Sequence, residues 1–313
     1  MQDKTIKISV ALATYNGSRY ITEQLDSILS QTMYVDEIII CDDKSSDDTV
    51  KIINQYIKEK NLSDVISLHV NERNLGYASN FMKAVKMTAG DYIFFCDQDD
   101  IWTKQRVQQM VDIMNSNSKI LLLGSEFEPF TVSHSAPQVP KWELAKFKGD
   151  NSVEHLKYSP ENIFIGCQGC TMCVRRSLLD KTLNYWYSGW AHDEFVWKMA
   201  LCLDGLYFYH NATVKRRVHD DNVSLGKMRD KQKRIKFLED LYKSHKKTLE
   251  FAQSIQLPEK KIKLLEKNMR AARFRIELLG DKKLLNAFRL LFYLECFHKC
   301  RALPVEVMMA IRS

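Results

Sequence analysis

The chain reads as an α/β protein: a mostly parallel sheet with flanking helices, followed by a helical C-terminal appendage. Three observations predict this. Short apolar, β-branched runs alternate with amphipathic stretches over the first hundred residues. Polar residues gather just after each of those runs. Charge is divided unevenly: residues 226–313 hold 22 Lys+Arg against 10 Asp+Glu, and the first 225 residues hold 24 against 29. A body of net −5 therefore precedes a tail of net +12.

Ile6 to Ala13 (IKISVALA) is a strand rich in β-branched residues. Tyr20 to Ser30 carries Ile21, Leu25, Ile28 and Leu29 at helical spacing and leads into a second strand, Glu37 to Cys41. Ser46 to Lys58 is amphipathic through Val50, Ile53 and Ile57, with Ser46 or Asp47 as its cap. A third strand, Val65 to Val70, precedes a loop and a helix from Ala78 to Met87. Residues 91–96 are almost continuously apolar, as suits a strand covered on both faces. In such a sheet, ligands sit in the crevice at the strands' carboxyl ends. Thr14-Tyr15-Asn16, Asp42-Asp43, Asn71 to Gly76 and Asp97 to Asp100 all fall there.

Asp97-Gln98-Asp99-Asp100 is the most informative of these clusters. Three crowded carboxylates repel one another, and a hard divalent cation, Mn²⁺ or Mg²⁺, relieves that repulsion. Taken alone, the tetrad reads equally well as a polar loop with Asp99 or Asp100 capping the next helix. Glycine-rich phosphate cradles are missing: only Gly17 follows the first strand, and no G-x-x-x-x-G-K-[ST] run occurs. A bound diphosphate beside bare carboxylates would then need a metal.

The segments Ala13-Thr14-Tyr15-Asn16-Gly17, Glu37 to Thr49 (EIIICDDKSSDDT), Asn74-Leu75-Gly76 and Asp97-Gln98-Asp99-Asp100 resemble family 2 glycosyltransferases of the GT-A fold. The resemblance spans about residues 5–225. It implies a nucleotide-sugar donor, a Mn²⁺ or Mg²⁺ ion and an inverting transfer. By that resemblance Thr14, Tyr15, Asn16, Asp42 and Asp43 line the nucleoside pocket, with Asp43 accepting from a pyrimidine N–H. Asn71 or Asn74 completes the pocket, Asp97 faces the ribose, and Asp97 and Asp99 serve the metal. Domain boundaries follow: a 1–225 transferase domain, with a 1–105 donor half and a 106–225 acceptor half, then the 226–313 region.

Inversion needs a base for the acceptor hydroxyl. Trp190-Ala191-His192-Asp193-Glu194 opens an apolar helix, and in similar enzymes the Asp of such a pair is the base, which assigns Asp193. Without the resemblance, Asp193 and Glu194 read as first-turn acids favoured by the helix dipole. Trp190, His192 and Glu194 fall to the acceptor side or to packing. Arg217-Val218-His219-Asp220-Asp221-Asn222 follows an expected strand pair, Gly205 to Tyr209 and Ala212 to Val218. It resembles the R-x-H-x-x-N segment of rhamnosyl- and hexosyltransferases, which makes His219 a third metal ligand or diphosphate contact beside Arg217 and Asn222. The same segment tilts the donor towards dTDP-rhamnose, with UDP-hexose or UDP-galactofuranose next.

Cys167, Cys170 and Cys173 lack an evident fourth ligand, and Cys170 to Val174 reads as a strand, so these thiols are expected to pack rather than bind metal. Eight cysteines without a signal-like N-terminus point to reduced thiols and a cytoplasmic chain. Phe127 to Asp150, with Pro129, Pro137 and Pro140, is expected to be an irregular excursion.

In the tail, Leu238, Leu241 and Tyr242, then Ile262, Leu265 and Met269, recur at helical spacing, and Pro258 divides the two helices. A last helix is expected over Leu284 to Phe297, too short to cross a bilayer. Two readings of it stay open: contact with an anionic membrane, or packing on the body. Membrane contact fits similar enzymes that extend a lipid-linked saccharide acceptor in surface-polysaccharide synthesis. No nucleic-acid module is recognised. The competing class is a non-catalytic nucleotide-sugar sensor or scaffold, which predicts donor binding without turnover.

Overall fold

The computed structural model describes residues 6–133, 136, 138–140, 144–220, 230–299 and 301–312. They divide into two compact units. The first holds residues up to 156, with 165–183 and 187–225. The second holds residues 226–313 with two short segments, 157–164 and 184–186.

A nine-stranded sheet forms the first unit. Its opening half alternates as the sequence predicts: β1 (Ile8–Thr14), α1 (Ile21–Leu29), β2 (Glu37–Asp42), α2 (Thr49–Glu59), β3 (Ile66–Val70), α3 (Tyr77–Met87) and β4 (Tyr92–Cys96). Then come β5 (Ile101–Trp102), α4 (Arg106–Ser116), β6 (Leu122–Thr131), β7 (Val153–His155), β8 (Cys173–Arg175), α5 (Arg176–Thr182), α6 (His192–Cys202) and β9 (Leu206–Val218). The order across the sheet is β3-β2-β1-β4-β8-β6-β9-β5, with β7 on β9. Strands β1 to β4 pair in parallel, as do β6 and β9, while β5, β7 and β8 run antiparallel to their neighbours.

Register aligns the strand ends. Thr14 stands opposite Asp42, Asp42 opposite Val70, and Leu12 opposite Cys96. The loops that follow these strands therefore emerge on one rim. Every residue of β4 is buried, as its unbroken apolar run requires. Ile21, Leu25 and Ile28 of α1 and Ile53 of α2 turn inward against the sheet core.

Three expected elements differ. The strand pair at 205–218 is one continuous strand, β9, because the polar His210 at its middle is satisfied: its backbone N–H reaches Ser152 O, and its ring lies between Glu126 and Glu154, 3.0 Å from each. β9 carries extra residues on either side of the pairing between Ala212 and Glu126 of β6, and this irregularity absorbs the change of register. Cys170 to Val174 is not one strand: Gly169–Thr171 is a 3₁₀ turn, with Thr171 Oγ1 donating to Gln168 O, and β8 begins only at Cys173. All four residues from Cys170 to Cys173 are buried. The excursion also starts later than Phe127, since β6 runs on to Thr131.

The second unit is helical: α7 (Lys231–Ser254), α8 (Glu259–Gly280), α9 (Leu285–Leu290) and α10 (Ala302–Arg312). Pro258 stands immediately before α8, where its missing N–H costs nothing. The helix expected over 284–297 is shorter: after Leu290 it tightens into 3₁₀ turns with a kink at Tyr293, and α10 was not anticipated. Inside, Glu306 is fully buried and accepts from Arg234 and Arg275. No helix among the described residues is long and apolar enough to cross a membrane.

Candidate active site

The loops after β2 and β3 close around Asp43. This carboxylate is buried and accepts three hydrogen bonds: at Oδ1 from Leu75 N (2.7 Å) and Asn71 Nδ2 (2.9 Å), and at Oδ2 from Gly76 N (2.9 Å). Asn74 Nδ2 donates to the Asp43 carbonyl at 3.2 Å. Gly76 makes the turn at φ +81°, a conformation that favours glycine. Asp43, Asn71 and Asn74 are thus brought together, and Oδ2 keeps a lone pair for a ligand. The sequence reading missed Asn80, whose buried amide joins the Asn71 side chain to the carbonyl of Cys41: its Oδ1 accepts from Asn71 Nδ2 and its Nδ2 donates to Cys41 O, each at 2.8 Å. A lone polar residue on the buried face of α3 was the available signal.

Asp42 and Thr14 sit behind this rim. Both are buried, and Asp42 accepts from Thr14 Oγ1, Ser45 N and Ser45 Oγ at 2.6–2.8 Å. Their side chains hold one another and the next loop rather than facing outward. Tyr15 does face outward, being 49% exposed. Asn16 adopts φ +50° and accepts Ser46 N–H at 2.8 Å. Gln98, passed over within the tetrad, clips Tyr15 at both backbone atoms: Tyr15 N donates to Oε1 at 2.8 Å, and Nε2 donates to Tyr15 O at 3.0 Å. A Cβ on Gly17 would stand 2.2 Å from that same Oε1.

The carboxylates of the tetrad stand in buried surroundings. Burial, reinforced by the charges of Asp100 and Asp99, pushes Asp97 up to about 8. Burial and Asp99 push Asp100 up to about 6. Asp99 Oδ2 lies 2.8 Å from His219 Nε2, so the expected partners meet. Neither Asp99 nor Asp100 caps a helix, since β5 intervenes before α4.

Arg217 organises this loop instead of projecting into it. Its backbone N–H donates to Asp100 Oδ1 at 3.0 Å, and its Nε to Asp99 O at 2.7 Å. The guanidinium pairs with Glu23 and lies over the rings of Tyr20 and Phe130, 4.3 and 4.6 Å from their centroids. Arg106, also missed, is fully buried and donates to Cys170 O and Thr213 Oγ1. Burial draws it down to about 10, which leaves it charged at neutral pH.

The carboxylates fit a hard divalent cation. Asp100 Oδ2 is buried with no N–H or O–H partner among the described residues. Ligand atoms of Asp97, Asp100 and Cys170 all lie within 4.8 Å of one another. Oxygen donors pushed towards their protonated form by burial and mutual repulsion are the kind a cation displaces protons from. Burial also holds the Cys170 and Cys173 thiols well above their usual range, as inert packing thiols.

On the other wall, α6 opens with His192. Asp193 lies close enough to Asp97 for its charge to contribute to raising that residue. Asp193 Oδ1 accepts the Glu194 N–H at 2.8 Å. Glu194 turns away, accepting from the buried Lys198 (2.6 Å) and from Trp190 Nε1 (3.1 Å). Trp190 and Glu194 are therefore held in packing. His192 stacks on Phe81 at 3.7 Å with rings nearly coplanar, and neither ring nitrogen has a partner among the described residues. Burial pushes its pKa down, so it is neutral. A Cβ on Gly169 would stand 2.7 Å from His192 Nε2 and 3.2 Å from Asp193 Cβ. Asn222 lies outside the described residues.

Comparison with known proteins finds several glycosyltransferases. An uncharacterized glycosyltransferase of Rickettsia typhi is 28% identical over 235 residues, which is 71% of this chain and 68% of that protein. The dTDP-rhamnosyl transferase RfbG of Shigella flexneri is 35% identical over 111 residues, 34% of this chain and 38% of that one. Residues 1–349 of S. aureus TarS, solved in complex with UDP-GlcNAc, superpose with a TM-score of 0.67 at 16% identity, covering 98% of this chain and 90% of that one. This likeness establishes the GT-A fold. The model of the family described as "Glycosyl transferase family 2" matches residues 9–182, more than half of the chain, so the protein belongs to glycosyl transferase family 2.

Proposed function

We propose that the protein transfers a sugar with inversion from a nucleotide-sugar donor to a hydroxyl of a saccharide acceptor. The observation that carries this is the gathering on one sheet rim of a buried carboxylate pocket, a repelling Asp cluster and Asp193. Tyr15, Asn16, Asp43, Asn71 and Asn74 form the nucleoside end, with Asp42 and Thr14 supporting it. Asp97, Asp99 and His219, with Asp100 grouped beside Asp97, would hold Mn²⁺ or Mg²⁺, which when bound would neutralise charge on the departing diphosphate. Asp193 takes the proton of the acceptor hydroxyl as its oxygen attacks the anomeric carbon and the carbon–oxygen bond to the diphosphate breaks. A single displacement of this kind inverts the anomeric centre. Asp193 Oδ1 already accepts a backbone N–H, which holds the carboxylate in place for the proton at its other oxygen. The likeness to RfbG supports dTDP-rhamnose as donor, with UDP-hexose or UDP-galactofuranose as the alternatives. A lipid-linked acceptor in polysaccharide synthesis, met at the cytoplasmic face of a membrane, completes the reading.

The test is a panel of dTDP-rhamnose and UDP-sugars, assayed for released nucleoside diphosphate with Mn²⁺ or with EDTA, beside Asp193→Asn. Release from one donor that EDTA abolishes, and that Asp193→Asn lowers by about 10³-fold or more with donor binding retained, is the expected result. Donor binding without turnover in any acceptor extract would favour the sensor instead. A chain that binds no donor with Mn²⁺ present would rule out both.

A further inference from the structure

The helical unit carries an apolar face that its own core leaves uncovered. α9 turns Asn286 and Leu290 inward, and directs Leu285 (74% exposed) and Phe288 (70%) to the outside. The following turn continues with Leu291 and Phe292, the latter 81% exposed. Positions 285, 288 and 292 are three and four apart, so they form one stripe on one side of the coil. α10 presents a second stripe, Val305, Met308 and Ile311, again exposed and three apart. Large side chains this open and this regularly spaced mark a docking surface rather than scattered exposure.

Charge decides the occupant. Between residues 281 and 301 stand Lys282, Lys283, Arg289, Lys299 and Arg301, against Asp281 and Glu295. Glu295 is engaged by Lys267 at 2.8 Å, and Lys283, more than half exposed, stands 3.5 Å from both Glu277 and Asp281. A second copy of the chain, docked through the same face, would bring two basic rims together. Nucleic acid would satisfy the charge but leave the phenylalanines in water. A surface of anionic phospholipid meets both requirements: headgroup phosphate for the basic rim, and acyl boundary for the stripe. We propose that the face formed by Leu285, Phe288, Leu291 and Phe292, rimmed by Lys282 and Lys283, docks the protein on an anionic bilayer. This deepens the reading of a membrane-borne acceptor by naming the surface that meets the lipid, and its test needs no donor.

The full chain is sedimented with vesicles of phosphatidylglycerol and phosphatidylcholine, and with phosphatidylcholine alone, while light scattering follows its oligomeric state. Three variants accompany it: Phe288→Glu with Phe292→Glu, Lys282→Glu with Lys283→Glu, and the milder Phe292→Ser. The expected result is binding about tenfold stronger to the anionic vesicles, lost by about tenfold in either double variant and weakened in Phe292→Ser. Because the replaced rings are mostly in water, melting temperatures stay near that of the parent chain, and Phe292→Ser serves should the charged pair fail to fold. Indifference of the parent chain to anionic vesicles, or undiminished binding by the phenylalanine variants, overturns the proposal. So does a dimer that the phenylalanine variants dissolve, which would make a second copy the occupant. Failure of sugar transfer with lipid binding intact would count against the reaction and leave this surface standing.

Discussion

Arg217 shows how one side chain can serve the site without reaching into it. Read from sequence it belongs to the R-x-H-x-x-N segment and sits beside a ligand; in the fold its guanidinium holds the Asp99 carbonyl from behind, while its backbone N–H holds the Asp100 carboxylate. The planar guanidinium matters, since it donates to Asp99 O through Nε while pairing with Glu23 and stacking between two rings. Lysine reproduces the charge and none of that geometry. Arg217→Lys is therefore expected to lower kcat by about 100-fold through misplacement of the Asp loop, with donor binding changed far less. Equal losses in kcat and in donor affinity would instead mark Arg217 as a direct donor contact. Gln98 illustrates the same point, since its amide extends the hydrogen-bonding of the loop after β1.

At the level of elements, the 3₁₀ turn Gly169–Thr171 and the start of α6 fit together only because residue 169 lacks a side chain. A methyl group there would press on His192 Nε2 at 2.7 Å and Asp193 Cβ at 3.2 Å. His192 is pinned against Phe81 and has little room to yield, so the first turn of α6 must shift instead. Gly169→Ala is expected to reduce turnover by about tenfold or more while nucleotide binding, built on β1 to β3, is preserved. Kinetics with a calorimetric donor titration checks this; a variant with unaltered turnover would show that α6 is not the wall that carries the base. The reading of the element pattern stands on the same physics. Strands buried on both faces and helices with one apolar stripe announce themselves by periodicity, which is why β1 to β4 and α1 to α3 are legible to within a few residues. β9 is not, because His210 interrupts its apolar run and only the carboxylates of Glu126 and Glu154, 84 and 56 residues distant in sequence, make that interruption tolerable.

For the whole molecule, the tetrad couples stability to pH and to metal. Asp97 and Asp100, pushed up to about 8 and about 6, hold protons in the folded chain that they lose near 3.8 once unfolded. Their contribution to stability is thus fully present below pH 3.8 and is lost as pH rises through 6 and 8. A cation competes with those protons, so it binds better as they leave. Mn²⁺ is expected to raise the melting temperature by several degrees at pH 8 and by little at pH 5.5, with EDTA reversing the gain. An identical rise at both pH values, or a rise that survives Asp99→Asn, would locate the ion elsewhere. The charge division along the chain acts at the same scale, since the excess of basic residues lies in the helical unit whose apolar stripe is exposed.

Periodicity and loop chemistry were enough to read the layered α/β class, the polar rim, the acidic tetrad and the family, because these depend on residues near one another in sequence. The pairing of Asp99 with His219, 120 residues on, the three donors around Asp43, and the inward turn of Glu194 depend on how the sheet brings its strands together. So does the division between Asp42, closed off by Thr14 and Ser45 at the end of β2, and Asp43 just beyond it, held by Asn71, Leu75 and Gly76: two adjacent carboxylates receive different surroundings. Composition named the acids of the site; only packing assigned each one its neighbours, and with them its charge.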